Sequence, residues 1–395
     1  MDAIPHTWGL DSATPPNGTG SSIERWQWRI PRRDAGILPL VLICPFMYYP
    51  KVLEGDTQPW LLLAALLALF TFRTDRFVEK RDWPLALLSI LCIAVYAARA
   101  DLGYGFVRAA YTYVAFLVFW VVCQRDGSDY MRIAVKATVV IWFVVGVYQY
   151  ALVKLGYDIG MGRYVPGRSG VPSLTAEASF YGSLSMLQLM YLITEKNARN
   201  GIFMACAIIS VVLSGSVLAM LLLVFPLWKL PLRIRMVAAL VLTALIVGDF
   251  YLSAAGVVAR VTSIAAGGVD LTSDTIDASL NLRAGNIYFT LFQNLIPSLL
   301  LQGRIGFMAQ YNDFASQTGA LMPVESDAIL PAIGEMIYGS GLVAVALLII
   351  FLKRTLAHCN SRRARIGRLL FILACMLNPI TLSNIFLISY TQTED

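Results

Sequence analysis

Residues that could take part in chemistry are concentrated in three short segments of a chain that is otherwise strongly apolar. The first is the Gly-rich segment 162–170, which carries Arg163 and Arg168. Arg pairs bidentately with phosphate groups, and Gly lets the backbone approach an anion closely. These residue types in this setting predict a loop that binds phosphate or pyrophosphate.

The second segment contains Glu177, in the run Thr-Ala-Glu-Ala-Ser at the start of an apolar stretch. The position predicts a carboxylate one turn inside the outer end of a membrane helix. An ionisable side chain is costly there and marks a candidate functional site. Glu177 is therefore a candidate general base. The alternative is a purely structural ion pair with Arg163 or Arg168.

The third group comprises Arg283, Arg304, Asp327 and Glu335. The two Arg residues lie on the predicted outer side, which Lys and Arg avoid unless something holds them there, so they are candidate functional residues. Asp327 and Glu335 are two helical turns apart, so they point broadly the same way and are candidate catalytic carboxylates. Helix N-capping would explain Asp327 but not Glu335. The sequence does not rank Glu335 firmly against Glu177, although the segment around Glu177 favours the latter.

The elements that must position these residues are membrane helices. The 395 residues are 57% apolar and 14% charged, with a mean hydropathy of +0.66. An ordinary soluble domain is about 45–50% apolar and about 25% charged. Apolar blocks near the length that crosses a bilayer, about 20 residues, recur along the chain. They predict an all-α polytopic membrane protein with eleven spans, near 35–53, 58–73, 83–99, 107–124, 133–153, 173–194, 201–214, 215–229, 236–256, 326–352 and 369–390.

The distribution of Lys and Arg predicts the orientation of these spans. With the polar tail 1–34 inside, 22 of the 31 basic residues fall in inside segments and 9 fall outside. This is the excess of cytoplasmic Lys and Arg that membrane proteins show. The tail is interpreted as disordered and cytoplasmic. Spans one to nine then occupy 35–256, and the last two occupy 326–395.

Two outside loops are long, at 154–172 and 257–325, and connections of this length are usually functional or disordered. Within the longer loop, residues 280–302 have helical apolar spacing and predict an amphipathic helix lying on or dipping into the outer membrane surface. Other outside basic residues, Lys51, Lys154 and Arg108, are interpreted as side chains that snorkel to the interface.

Several classes of function lack their motifs. The two His residues, at 6 and 358, both fall inside, and the six Cys residues include no Cys-x-x-Cys pair. The chain also has no Gly-rich nucleotide loop. These observations predict no metal and no cofactor. The basic residues form no stripe with interleaved aromatics, which argues against nucleic-acid binding.

The order of the motifs resembles the O-antigen polymerase and O-antigen ligase superfamily over about 160–345. The similarity rests on the Gly-Arg loop, the segment 175–180, Leu-Ser-Gly-Ser at 213–216, Arg-Ala-Gly-Asn at 283–286, Gly-Arg-Ile-Gly at 303–306 and the carboxylate segment 325–335. The polymerases often have Glu-Pro-Ser where this chain has Glu177-Ala178-Ser179.

The resemblance implies a GT-C-like glycosyltransferase in the bacterial inner membrane, with its active site and both long loops facing the periplasm. Such polymerases join oligosaccharide repeat units carried on undecaprenyl pyrophosphate, without a cofactor. Arg163, Arg168, Arg283 and Arg304 would then hold pyrophosphate, and Glu177 or Glu335 would act as the base. Implied partners are the lipid-linked glycans, membrane lipid and a chain-length regulator.

Two alternatives stay open. An O-antigen ligase would pass finished polysaccharide to lipid A-core, but ligases of this superfamily carry a functional His near the end of the long loop, where this chain has Glu325-Ser326-Asp327. A polytopic transporter or lipid-linked sugar flippase is the other alternative. It would show related halves and a site at the membrane midplane, and the sequence shows no such internal repeat.

Overall fold

The computed structural model describes residues 80–99, 104–125, 128–157, 170–195 except 176, 200–230, 278–302, 306–318 and 331–393 except 378 and 379, with a few isolated positions besides. Every regular element in these ranges is helical, as the composition predicts. The tail 1–34, the spans predicted at 35–53 and 236–256, most of the span at 58–73 and the loop residues 257–277 lie outside the described residues.

The first helices follow the predicted apolar blocks closely. They are α1 (Trp83–Arg99), α2 (Tyr104–Arg125) and α3 (Ser128–Lys154). After them come α4 (Ala178–Thr194), α5 (Gly201–Leu213) and two short helices, α6 (Val217–Leu222) and α7 (Val224–Lys229). The block predicted as one span over 215–229 contains two short helices that continue into each other through Leu223, whose backbone angles are helical.

The second half of the chain is more broken. It contains α8 (Ala278–Tyr288), a π turn (Phe289–Gln293), α9 (Leu295–Leu299) and α10 (Phe307–Thr318). The chain then forms α11 (Ala332–Ala357), α12 (Arg362–Met376) and α13 (Ile385–Thr391). The amphipathic helix predicted over 280–302 is thus interrupted by the π turn, where Asn294 N–H donates to the Phe289 carbonyl at 2.8 Å.

Three helices in the described ranges are long and apolar enough to cross a membrane: Phe106–Gln124, Met131–Lys154 and Ala332–Ala357. Trp83–Arg99, Gly201–Leu213 and Ala219–Lys229 are shorter apolar helices. The chain is therefore helical with at least three candidate spans. The count of eleven spans stays a prediction.

Helices α1 and α11 pack against each other along their length in opposite directions. At one end, the guanidinium of Arg354 lies 4.0 Å from the buried carboxylate of Asp82 and also donates to the Arg81 carbonyl. At the other end, Arg99 donates to the carbonyls of Tyr338 and Gly339 at 2.8 and 3.0 Å. Arg99 is therefore a bridge between helices.

Helix α11 breaks at Gly341, which has φ 56° and ψ −136°. A Cβ at this position would lie 2.8 Å from the carbonyl oxygens of Ser298 and Leu299, so the end of α9 approaches the break directly. A break leaves the preceding carbonyls without their partners one turn ahead. The guanidinium of Arg99 replaces the missing backbone donors, because it donates hydrogen bonds to the two carbonyls just before the break.

The block predicted as one span over 369–390 is a helical hairpin. α13 returns alongside α12, so that the buried guanidinium of Arg368 donates to the carbonyls of Thr391 and Thr393 at 3.3 and 2.9 Å. The Tyr390 ring lies 5.1 Å from the same guanidinium. Asn384 begins α13 by accepting hydrogen bonds from two backbone N–H groups. Residues 391–393 therefore lie at the level of Arg368, near the middle of α12, and the helix predicted over 369–390 is a hairpin of two helices.

The bundle and the long loop have separate cores. Most buried apolar side chains of α1 to α7 and α11 to α13 form one continuous cluster. A second cluster joins the loop helices to α11 and consists mainly of rings: Phe289, Phe307, Tyr311, Ala315, Ile329 and Tyr338. Phe307 stands edge-on to Tyr338 with ring centroids 5.7 Å apart. The aromatic cluster therefore fixes the loop helices to α11 just before its break.

Candidate functional site

Glu177 lies at the N-cap position of α4, with extended backbone angles, instead of one turn inside the helix as the sequence predicts. Its side chain makes no capping hydrogen bond, and the Ser179 hydroxyl donates to Oε2 at 3.3 Å. A carboxylate at this position is stabilised by the positive end of the helix dipole. The difference from the prediction arises because Ser173 and Thr175 are buried in non-helical backbone and α4 begins only at Ala178.

The segment before Glu177 is held rigidly inside the bundle. The Ser173 hydroxyl donates to the Trp142 carbonyl at 2.8 Å, and the Gln149 amide donates to the Ser173 carbonyl at 2.8 Å. The hydroxyl of Thr175 lies 2.6 Å from the carbonyl of Glu177. Ser173 adopts φ 52°, an uncommon conformation for a residue other than Gly. These bonds fix where the Glu177 side chain can reach.

Arg283, in the long loop, lies close enough to Glu177 for the two charges to interact. Burial lowers the pKa of the Arg283 guanidinium, and the carboxylate of Glu177 opposes this shift by favouring the charged form. The structure therefore brings together two residues that the sequence separates by about a quarter of the chain. Both were predicted as site residues, and the alternative structural pairing of Glu177 with Arg163 or Arg168 falls on residues that the structure does not describe.

Glu335 lies in the first turn of α11, and its carboxylate is 3.5 Å from the guanidinium of Arg108 in α2. The Arg108 side chain is about one-third exposed. Arg108, which the sequence predicts to snorkel to the interface, therefore also turns its side chain towards a carboxylate on a neighbouring helix. Two opposite charges about 4 Å apart attract each other appreciably near a protein surface, and this attraction holds the Arg108 side chain beside Glu335.

A small recess opens beside this ion pair. Its lining combines ring, methyl and hydroxyl groups with one carboxylate, from Tyr96, Ala109, Thr112, Tyr113, Ala332, Glu335, Met336 and Thr381. Thr381 comes from the tip of the α12–α13 hairpin, so the recess needs four separate helical elements. A carboxylate at the edge of a recess with hydroxyl groups can accept a proton from a bound hydroxyl.

The two acid–base pairs lie at the same end of the bundle. α2 and α3 are both long enough to cross a membrane, and their adjoining ends are only a few residues apart. The start of α2, with Arg108, therefore shares one side with the end of α3. Gln149, near that end of α3, binds the segment that leads to Glu177. At the opposite end, Arg132 forms an ion pair with Glu195.

Arg163, Arg168, Arg304 and Asp327, the other predicted site residues, lie outside the described residues, so their roles stay predictions. Within the described ranges, no group of three or more His, Cys, Asp and Glu residues could share a metal ion. The sequence reasoning missed Arg108 as a site residue. The available signal was a pair of outside Arg residues, at 99 and 108, that flank one short connection.

Together these features place the chain among helical membrane proteins with a polar site at one end of the bundle. Comparison with protein-family models, with curated proteins and with solved structures gave no match.

Proposed function

We propose that this chain is a glycosyltransferase that polymerises lipid-pyrophosphate-linked oligosaccharide repeat units at the outer face of the bacterial inner membrane. The product would be a surface polysaccharide of the O-antigen type. The observation that carries the proposal is the Arg108–Glu335 ion pair at one end of an apolar helical bundle, with Arg283 within electrostatic range of Glu177 at the same end. Glu335 also borders a recess.

The reaction needs only these kinds of groups. A hydroxyl oxygen of the incoming repeat unit forms a bond to the anomeric carbon of the growing chain, and the bond from that carbon to the pyrophosphate oxygen breaks. The hydroxyl proton passes to a carboxylate. The leaving group departs as polyprenyl pyrophosphate, whose charge is stabilised by nearby guanidinium groups. No oxidant, reductant or nucleotide enters the balance.

Glu335 is now the preferred base, because it borders the recess while Glu177 lies at a helix end beside Arg283. Arg283 is the preferred described residue for holding pyrophosphate. Its partly buried position strengthens its interaction with an anion. Glu177 would then orient Arg283 through their mutual attraction.

The test is deletion of the gene in its host, followed by gel electrophoresis of the extracted surface polysaccharide and complementation with variants. Glu335→Gln and Arg283→Ala are expected to lose the polymer ladder and leave core carrying a single repeat unit. Glu195→Gln is the matched control, because Glu195 also pairs with an Arg but at the opposite end of the bundle. It should restore the ladder.

Other outcomes distinguish the alternatives. Unlinked polymer that accumulates on its lipid carrier would indicate a ligase. An unchanged ladder after deletion would refute both activities and favour a transporter. The breaks in α11 and between α12 and α13 are the observation that favours this second candidate, since transporters build midplane sites from interrupted helices. A normal ladder with well-expressed Glu335→Gln would exclude Glu335 as the base.

A further inference from the structure

The segment that follows α8 runs alongside the first half of α11. A Cβ on Gly334 would lie 2.5 Å from the hydroxyl oxygen of Thr290, so the π turn touches the start of α11. Further along, the carbonyls of Ser298 and Leu299 approach Gly341, at the break in α11. The π turn and α9 therefore descend in the same direction as α11, from its first turn to its break.

The depth of this descent follows from the course of α11, a candidate membrane span. The first turn of α11 carries Glu335, which pairs with Arg108 at the N-terminal end of α2, so the boundary of the apolar core lies near Ile333. Gly341 then lies about 12 Å below that boundary, at a rise of 1.5 Å per residue. Because Leu299 packs against Gly341, the end of α9 reaches the same depth.

The backbone of the segment is suited to such an environment. Non-helical backbone at membrane depth is tolerated only where protein or a water-filled cavity satisfies its polar groups. The Ser298 N–H donates to the Asn294 carbonyl at 3.0 Å, and the Gln302 N–H donates to the Pro297 carbonyl at 2.9 Å. Arg99 lies 3.4 Å from the Gln302 carbonyl, where the chain turns back.

One side of the segment is buried and the other carries large apolar side chains. Phe289 and Thr290 are buried against the aromatic cluster and α11. Tyr288, Phe292, Ile296 and Leu300, at intervals of four residues, are 52–70% exposed. We call these four residues the apolar stripe. The wider π turn offsets the drift that a spacing of four produces on an α-helix, so the stripe stays on one side.

We infer that residues 288–302 form a re-entrant segment inserted into the membrane leaflet nearest Glu335, with the apolar stripe in contact with lipid acyl chains. The end of the segment lies as deep in the membrane as Gly341. A side chain that points away from the protein at this depth contacts lipid hydrocarbon, so lipid is the partner of the apolar stripe. Leu342, next to the break, is itself 55% exposed and needs the same surroundings. The inference concerns the fold in the membrane and does not depend on the proposed function.

The experiment measures the depth of single spin labels in the full chain, reconstituted in vesicles of phosphatidylethanolamine and phosphatidylglycerol. In a background without native Cys residues, labels are attached to Phe292→Cys, Ile296→Cys and Leu300→Cys. These side chains are exposed, so their replacement leaves the core intact. Gln317→Cys is the control, on the exposed face of α10 in the same loop. Collision rates with oxygen and with a water-soluble nickel chelate are measured by power saturation.

The expected result is a several-fold higher ratio of oxygen to nickel collisions at the three stripe positions than at Gln317→Cys, rising from Phe292→Cys to Leu300→Cys. Nickel accessibility equal to that at Gln317→Cys would place the stripe in water and overturn the inference. Low collision rates with both reagents would also overturn it, because protein, either a second copy or another segment, would then cover the stripe.

Discussion

The break at Gly341 supports a quantitative prediction for the change Gly341→Ala. The backbone angles, φ 56° and ψ −136°, fall where only Gly is unstrained, and forcing another residue into such a region costs about 1–3 kcal/mol. The new Cβ would also lie 2.8 Å from each of two backbone carbonyl oxygens, of Ser298 and Leu299. Backbone cannot swing aside as a side chain can, so overpacking adds about 1–3 kcal/mol.

Gly341→Ala should therefore lower the free energy of unfolding by about 2–6 kcal/mol. The assay is unfolding of the purified protein by SDS in mixed micelles, followed by far-UV circular dichroism. Adding Leu301→Ala should recover only a small part of the loss. It removes the Leu301 methyl that lies 2.5 Å from the new Cβ, but both carbonyls remain.

Gly367→Ala is the matched control for this prediction. Gly367 lies inside α12, and a Cβ there would meet nothing within 4 Å. Ala is a better helix former than Gly by about 1 kcal/mol, so the control should be neutral or slightly stabilising. If Gly341→Ala and Gly367→Ala unfold alike, the strained break and its contact with α9 do not exist as described.

Three further predictions concern the groups that hold the bundle together. Arg99→Ala should lower the free energy of unfolding by about 1–3 kcal/mol, because the carbonyls before the break in α11 lose a charged donor; a change below 0.5 kcal/mol in the SDS assay would contradict the bridging role. Arg368→Ala should cost about 3–5 kcal/mol, since it removes a fully buried side chain and leaves carbonyls in α13 unsatisfied; wild-type stability would argue against the hairpin. The hairpin also predicts that Thr393 and the loop before Arg362 lie on the same side of the membrane. Alkaline phosphatase fused at either position should therefore have the same activity. Activity in only one of the two fusions would show that residues 369–390 cross the membrane once.

The helical class and the approximate positions of several helices followed from the sequence. An apolar block of about 20 residues satisfies its own backbone groups in lipid by forming a helix. The predicted blocks at 107–124 and 133–153 therefore match α2 and α3 within a few residues. Charged residues are rare in this chain, so their type and position were enough to select Glu177, Glu335 and Arg283 as candidate site residues.

The interruptions of the helices could not be predicted from the apolar pattern. Gly341 lies in a continuous apolar block, and Gly is common in unbroken membrane helices. Whether it breaks the helix depends on the close approach of Ser298 and Leu299, which belong to a distant part of the chain. The α12–α13 hairpin is a similar case, because α13 is held beside α12 by hydrogen bonds from Arg368 to the carbonyls of Thr391 and Thr393.

The pairing of charges was decided by the tertiary structure alone. The interaction of Arg283 with Glu177, and the position of Arg108 beside Glu335, join residues that are far apart in the sequence. Composition and hydropathy indicate which segments are apolar and which kind of secondary structure they form. They carry no information about which helices become neighbours, because electrostatic attraction depends on distances that arise only when the bundle packs.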